Sequence, residues 1–249
     1  MSGDGMAIRF DHVSKAFGSL KVLDDVSFAI PRGEAFCILG RSGTGKSVTL
    51  KQLLGLIKPD SGRIFIEDEE ITRLSGDALS QVRKRLGYLF QYSALFDSIS
   101  VGENVAFPLR RHTKLPDAEI RERAQHRLAQ VGLQNVYGKM PADISGGMRK
   151  RAGLARALAL EPSILLVDEP SSGLDPITSE EIDELLLQLK EEQGTTLVVV
   201  THNIPSARRI GDELAVLDGG RIVARGAPEE LDRSGHEVVR RFMTIQGGT

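Results

Sequence analysis

The sequence has no tryptophan, and aromatic residues make up only 5% of it. Stacking platforms for single-stranded nucleic acid are therefore not expected. There is one cysteine, Cys37, which excludes an intrachain disulfide and fits a reducing compartment. Within a predicted strand, Cys37 is expected to fill the core. Neither sign of charge dominates: 32 basic side chains face 34 acidic ones, for a net charge of -2. A chain whose main partner is a polyanion usually carries a strong basic excess, so no nucleic acid is expected here. No apolar run approaches the ~18 residues of a spanning helix; the longest are Ile164–Val167 and Leu197–Val200. The first ten residues lack a basic start followed by an apolar stretch, so no signal peptide is expected. Work at a membrane would then need another chain as the anchor.

What is present is a globular composition, 41% hydrophobic over 249 residues. That length suits one large α/β domain with an inserted subdomain. Ile8–Phe10, Val26–Ile30, Ala35–Leu39, Arg63–Glu67 and Leu86–Phe90 read as strands, and Thr49–Ile57 as a helix. From about 98 to 160 the helical pattern dominates. Ile120, Ala124, Leu128 and Val131 make one face of a helix over Asp117–Val131, and Pro108, Pro116 and Pro141 punctuate the stretch. Ile164–Val167 and Leu197–Val200 suit central strands of a parallel sheet, with an amphipathic helix over Ser179–Glu192 between them. Leu214–Leu217 and Arg221–Ala224, joined by Asp218-Gly219-Gly220, read as a hairpin.

Three motifs carry chemistry. Gly40-Arg41-Ser42-Gly43-Thr44-Gly45-Lys46-Ser47 fits the phosphate-loop pattern between a strand and a helix. Its glycines let backbone N–H groups wrap a phosphate chain at a helix N-terminus. Lys46 is expected on the β- and γ-phosphates, and the Ser47 hydroxyl on Mg²⁺. Next, Ile164–Val167 runs into Asp168-Glu169-Pro170, where strand ends of a parallel sheet collect ligands. Asp168 would hold Mg²⁺ through water, and Glu169 would polarise an attacking water. The third motif is Ile144-Ser145-Gly146-Gly147-Met148 ahead of a helical run over Arg149–Leu160. Ser145 can cap that helix, and the glycines free the backbone to meet an anion. Lying in the helical stretch, it suggests a site shared between two chains; a plain capped helix is the other reading.

In order, the phosphate loop, Gln91, the Ser145 segment, the carboxylate strand, Ser172-Gly173-Leu174-Asp175 and His202 resemble an ATP-binding-cassette (ABC) ATPase over nearly the whole chain. The resemblance implies the ABC branch of the P-loop NTPase α/β fold: a parallel-rich core, an antiparallel β layer and an inserted α-helical subdomain. It places a single domain at 7–249, with the insertion at approximately 98–160. It implies that Gln91 senses Mg²⁺ and the attacking water. Ser145, Gly146 and Gly147 would clamp ATP bound to a second copy of the chain, and Asp175 would link the two sites. His202 would contact the γ-phosphate; alone it would more often be structural. Phe17 falls where the family places an aromatic that stacks on adenine, with a core position as the other reading. Val48 stands where a second hydroxyl is common. It keeps its backbone N–H but loses a donor, costing on the order of 1 kcal/mol of nucleotide affinity. Met148 and Ile144 replace the family's usual Gln and Leu.

The segments 89–97, 107–113, 140–148 and 168–178 resemble the ATPase subunit of Mla (Mce-type) phospholipid transport systems of bacteria. That implies ATP and Mg²⁺ as cofactors and a peripheral place on the cytoplasmic face of the inner membrane. The implied partners are an integral-membrane permease, an Mce-domain lipid-binding protein and a small STAS-type regulator. The alternatives are another ABC importer or exporter, for amino acids or a drug, and an ABC ATPase outside transport. Tyr92–Phe96 reads as an apolar loop that receives a permease helix, or as a plug of the subdomain core. Arg149-Lys150-Arg151 reads as a solvated helix face, or as a face toward anionic lipid or a partner.

Overall fold

The computed structural model describes residues 5–41 and 43–245. At its centre lies a six-stranded sheet of β3 (Ala35–Leu39), β6 (Leu86–Leu89), β7 (Ile164–Asp168), β8 (Thr196–Thr201), β9 (Glu213–Asp218) and β10 (Arg221–Gly226), in the order β10-β9-β3-β8-β7-β6. Neighbours from β9 to β6 run parallel, and β10 closes one edge as the antiparallel arm of a hairpin with β9. The continuous apolar runs are central strands: every residue of β3, β7 and β8 is buried.

The two-residue period divides this sheet between two cores. Phe36, Ile38, Leu166, Val198 and Val200 face one way, Cys37, Leu39, Leu165, Val167, Leu197 and Val199 the other. The first face meets a four-stranded antiparallel sheet, ordered β2-β1-β4-β5: β1 (Met6–Phe17), β2 (Leu20–Pro31), β4 (Ser61–Ile66) and β5 (Glu69–Glu70). Phe10 and Phe28 stack there with centroids 4.4 Å apart. Leu50 and Leu53 of α1 (Lys46–Leu53) enter the same core, so the helix behind the phosphate loop is anchored between the sheets. β1 and β2 are longer than their apolar runs, because antiparallel pairing continues through the polar residues as far as Phe17 and Leu20. α1 starts three residues before the expected helix, and α2 (Gly76–Arg83) has no counterpart among the expected elements.

Between β6 and β7 the described chain is helical, with α3 (Val101–His112), α4 (Asp117–Gln130) and α5 (Gly146–Ala157) packed on the second core. Pro108 sits inside α3 rather than ending it. Pro116 precedes α4 as its N-cap residue, and Pro141 opens a short 3-10 turn. Asn104 of α3 is fully buried. Its amide accepts from Phe96 N (2.7 Å) and donates to Phe96 O (3.0 Å), Ile99 O (3.3 Å) and Ser100 O (3.0 Å), which folds the loop ahead of α3. Asn104→Ala strips those backbone groups of their partner. It is expected to cost about 2–4 kcal/mol, read as a lowered urea midpoint; a wild-type midpoint would show that water replaces the amide at no cost.

After β7 come α6 (Pro176–Gln193), α7 (Ile204–Ile210), α8 (Pro228–Asp232) and α9 (Glu237–Ile245). α9 buries Val239 and Met243 in the second core, and Arg208 donates to Met243 O at 3.3 Å. Cys37 is fully buried, and burial pushes its thiol pKa upward, as suits a core-filling residue. No helix among the described residues is long and apolar enough to cross a membrane.

Candidate functional site: a phosphate loop facing a strand-end carboxylate

β3 ends at Leu39, and the loop that follows turns directly into α1 at Lys46. Gly45 has φ 105°, and a Cβ there would lie 2.7 Å from Val22 O, so only glycine fits. No side chain caps α1 and its first turn holds no acid, leaving its amide dipoles to a ligand. Lys46, 7% exposed, donates to Gly40 O (2.8 Å) and Arg41 O (3.1 Å). Thr44 Oγ1 donates to Arg41 O at 2.9 Å, inside the loop. Ser42 lies outside the described residues.

β7 is two strands from β3 in the same parallel sheet, so its end faces this loop. Ser47 Oγ donates to Asp168 Oδ1 at 3.1 Å, and Tyr88 OH donates to Asp168 Oδ2 at 3.0 Å. Burial first, and the Asp168 charge second, push the Tyr88 phenol pKa up, so it serves as a fixed donor. Glu169 follows with φ 47°, a left-handed conformation that costs a non-glycine residue about 1–3 kcal/mol. The turn aims its carboxylate back at the loop. Glu169 Oε1 lies 3.5 Å from Lys46 Nζ, while Oε2 accepts from His202 N (3.2 Å) and lies 2.9 Å from His202 Nδ1. Gln91 Nε2 donates to Ser172 Oγ at 3.2 Å, joining the loop after β6 to the loop after β7.

These groups line one cavity of about 750 Å³. Phe17, Arg41, Gly43, Gly45, Lys46, Ser47, Val48, Gln91, Glu169 and His202 border it, and Asp168 and Gly40 are bonded to its walls. Phe17 is 47% exposed, so the core reading of it is overturned: it ends β1 at the cavity edge. Ser145, Gly146, Gly147 and Asp175 are not in the cavity lining. Ser145 Oγ caps α5 by accepting from Met148 N at 3.2 Å. Gly147 packs against α6, where a Cβ would sit 2.5 Å from Thr178 Cγ2. Asp175 caps α6; hydrogen bonds from the Thr178 hydroxyl and amide hold its carboxyl below the usual range.

Several residues escaped the sequence reading. Tyr88 stood unmarked within the Leu86–Phe90 strand run. Val238, Arg241 and Phe242 of α9 form the outer cavity wall, with no motif to mark them. The basic run of α5 is divided: Arg149 is exposed and Arg151 half-buried, while Lys150 points inward and departs from the solvated-face reading. Lys150 is 2% exposed, Arg149 donates to Ile144 O at 2.7 Å, and Arg151 lies 3.8 Å from Glu181. Burial pushes the Lys150 ammonium pKa down to about 8, against the pull of Asp168 and Glu169. In the loop after β6, Leu95 packs on the second core while Tyr92 (84%) and Phe96 (44%) are exposed, so the plug and the apolar surface coexist.

Known proteins share this fold. The family profile described as "ABC transporter" matches residues 23–172. A shorter match, to "AAA domain, putative AbiEii toxin, Type IV TA system", covers 140–207. The chain is 45% identical over 239 residues to the "Probable ribonucleotide transport ATP-binding protein mkl" of Mycobacterium tuberculosis, spanning 96% of this chain and 67% of the relative. It is 41% identical over 231 residues to the "Intermembrane phospholipid transport system ATP-binding protein MlaF" of Escherichia coli, spanning 93% and 86%. Among solved structures, a dimeric ATP-binding cassette in a post-hydrolysis state with ADP and Pi superposes with TM-score 0.82 at 34% identity, over 88% of this chain and 98% of that one. The cbiO1 subunit of Clostridium perfringens, part of the cbiONQ transporter complex, gives 0.85 at 32%, over 96% and 94%. The chain belongs to the ABC transporter family, as an ATP-hydrolysing cassette subunit.

Proposed function

We propose that the cavity binds Mg-ATP and that Glu169 activates the water that attacks the γ-phosphate. The observation that carries this is the Glu169 carboxylate set between Lys46 at 3.5 Å and His202 Nδ1 at 2.9 Å, beside the phosphate loop. Lys46 and the α1 amides hold the β- and γ-phosphates, and His202 fixes the carboxylate and the water. Ser47, Asp168 and Gln91 offer oxygens only, a donor set that fits Mg²⁺ better than softer metals. When bound, the ion neutralises charge on the phosphates. The domain runs over 7–249, with the helical insertion at approximately 98–160. Two copies enclose two nucleotides: Ser145–Gly147 lie away from their own cavity, at a capped helix start suited to a partner's γ-phosphate. Asp175 stands between the two sites.

Phe17 and the Val238–Phe242 face of α9 enclose the nucleoside from two sides. Phe242→Ala is expected to weaken binding of a fluorescent ATP analogue by roughly 5- to 10-fold, the worth of one aromatic face. Unchanged affinity would mean that the base lies elsewhere.

The transported cargo is phospholipid, moved between the inner membrane and periplasmic carriers, with the chain held on the cytoplasmic face by a permease. An Mce-domain protein and a STAS-type regulator complete the system. Support comes from the segments around Gln91, Gly147-Met148 and 168–178 and from the 86% coverage of the phospholipid-system relative. A second reading, another cargo, is favoured by the 45% identity to a protein named for ribonucleotide transport and 40% to a methionine import subunit. The test is a tagged pull-down from detergent-solubilised membranes, with proteins and lipids identified by mass spectrometry. A permease, an Mce-domain protein and phospholipid are the expected set. A permease with a solute-binding protein would replace the cargo, and ribosomal or DNA-repair factors without a permease would remove transport.

A further inference from the structure

Lys150 lies in α5, 2% exposed, with three N–H donors and three carbonyls around them. Its ammonium donates to Gln91 O at 2.7 Å, to Glu169 O at 3.0 Å and to Phe90 O at 3.4 Å. Two of these belong to the loop after β6. The third is the backbone oxygen of Glu169, the residue held at φ 47°. Further along α5, Arg156 donates to Ser93 O and Ala94 O, each at 2.7 Å; these residues have φ 62° and 49°. One helix therefore grips four carbonyls of a strained loop and one of the catalytic turn. Gly153 permits the close approach, since a Cβ there would lie 3.1 Å from Ser93 Cβ. An apolar side chain would fill the Lys150 site without desolvating a charge, so the cation's distinctive contribution is the backbone geometry it fixes.

We propose that Lys150 is a positioning residue: from the helical insertion it fixes the backbone of Glu169, and through it the aim of the water-activating carboxylate. The same ammonium ties the Glu169 backbone to the loop carrying the exposed Tyr92. This rests on Glu169 as the group that activates water. The nucleotide is gripped by other groups, chiefly Lys46, Ser47 and Phe17. Loss of Lys150 should therefore slow turnover and spare binding, because a misplacement near 1 Å costs up to about 100-fold in rate.

The test measures ATP hydrolysis by the full chain, co-purified with its membrane partner, and binding of a fluorescent ATP analogue. Lys150→Met is expected to lower kcat about 10- to 100-fold, with KM and analogue affinity within about two-fold of wild type. Lys150→Arg keeps the charge and the donors, and should recover most of the rate. In a Glu169→Gln background, Lys150→Met should cause no further loss, because the group it acts through is already disabled. If Lys150→Met does not fold, Lys150→Gln takes its place with the same expectations. Wild-type kcat in the neutral variant, or a full further loss in the Glu169→Gln background, overturns the proposal. A wild-type protein that binds the analogue but hydrolyses nothing overturns the Glu169 assignment as well, whatever the Lys150 variants do.

Discussion

Glu169→Gln is expected to lower ATP turnover by at least about 100-fold while leaving nucleotide affinity within about two-fold of wild type. The amide keeps the shape of the side chain and its contact with His202, but it is a poor acceptor for the proton of an attacking water. Lys46 loses a charged neighbour but keeps its bonds to Gly40 O and Arg41 O, and the α1 amides are unchanged, so the groups proposed to hold the phosphates stay in place. The check is a steady-state phosphate-release assay beside titration of a fluorescent ATP analogue. Turnover at the wild-type rate would move the base elsewhere, and a parallel loss of affinity would make Glu169 a binding residue.

Lys46→Ala should instead lower affinity and turnover together. Its ammonium meets two loop carbonyls and the Glu169 carboxylate within 3.5 Å. A charge-assisted contact to phosphate is worth about 1.5–3 kcal/mol. Analogue affinity should therefore fall roughly 10- to 100-fold, and hydrolysis should fall with it. Removal of the cation also leaves the buried Glu169 carboxylate with His202 alone as its partner, so the variant should unfold at lower urea. Normal affinity in Lys46→Ala would mean that the loop binds phosphate by backbone alone. The two substitutions separate binding from chemistry within one cavity.

How far the sequence foretold this site depends on the range of the contacts. The phosphate loop and the Ile164–Glu169 strand end were legible because each is a local pattern: glycines where the backbone must turn, and an apolar run ended by carboxylates. The parallel sheet joins them in space, and its strands were legible for the same reason. The helical stretch at 101–157 showed its 3.6-residue period, although Pro108 proved to lie within a helix. Lys150 was misread because three consecutive cations resemble a solvent face. Its carbonyl partners are 19, 59 and 60 residues away, and no local period records them. The α9 wall was missed for the same reason: it borders the same cavity as the phosphate loop but lies about 200 residues away in the chain. Tyr88 carries an alternating strand signal whichever group its hydroxyl finds. The Ser145 segment was read as half of a site shared between two chains or as a plain capped helix; Ser145 Oγ caps α5, and the segment is absent from its own chain's cavity lining.

The proposed hydrolytic site is completed by a second copy of the chain. Its most direct test is sedimentation of the Glu169→Gln protein with Mg-ATP and, separately, with ADP. Trapped before hydrolysis, the protein should sediment at twice the chain mass in Mg-ATP and at the single-chain mass in ADP. A protein that binds one ATP per chain, stays at the single-chain mass, and in wild-type form still hydrolyses ATP at full rate would contradict the shared site.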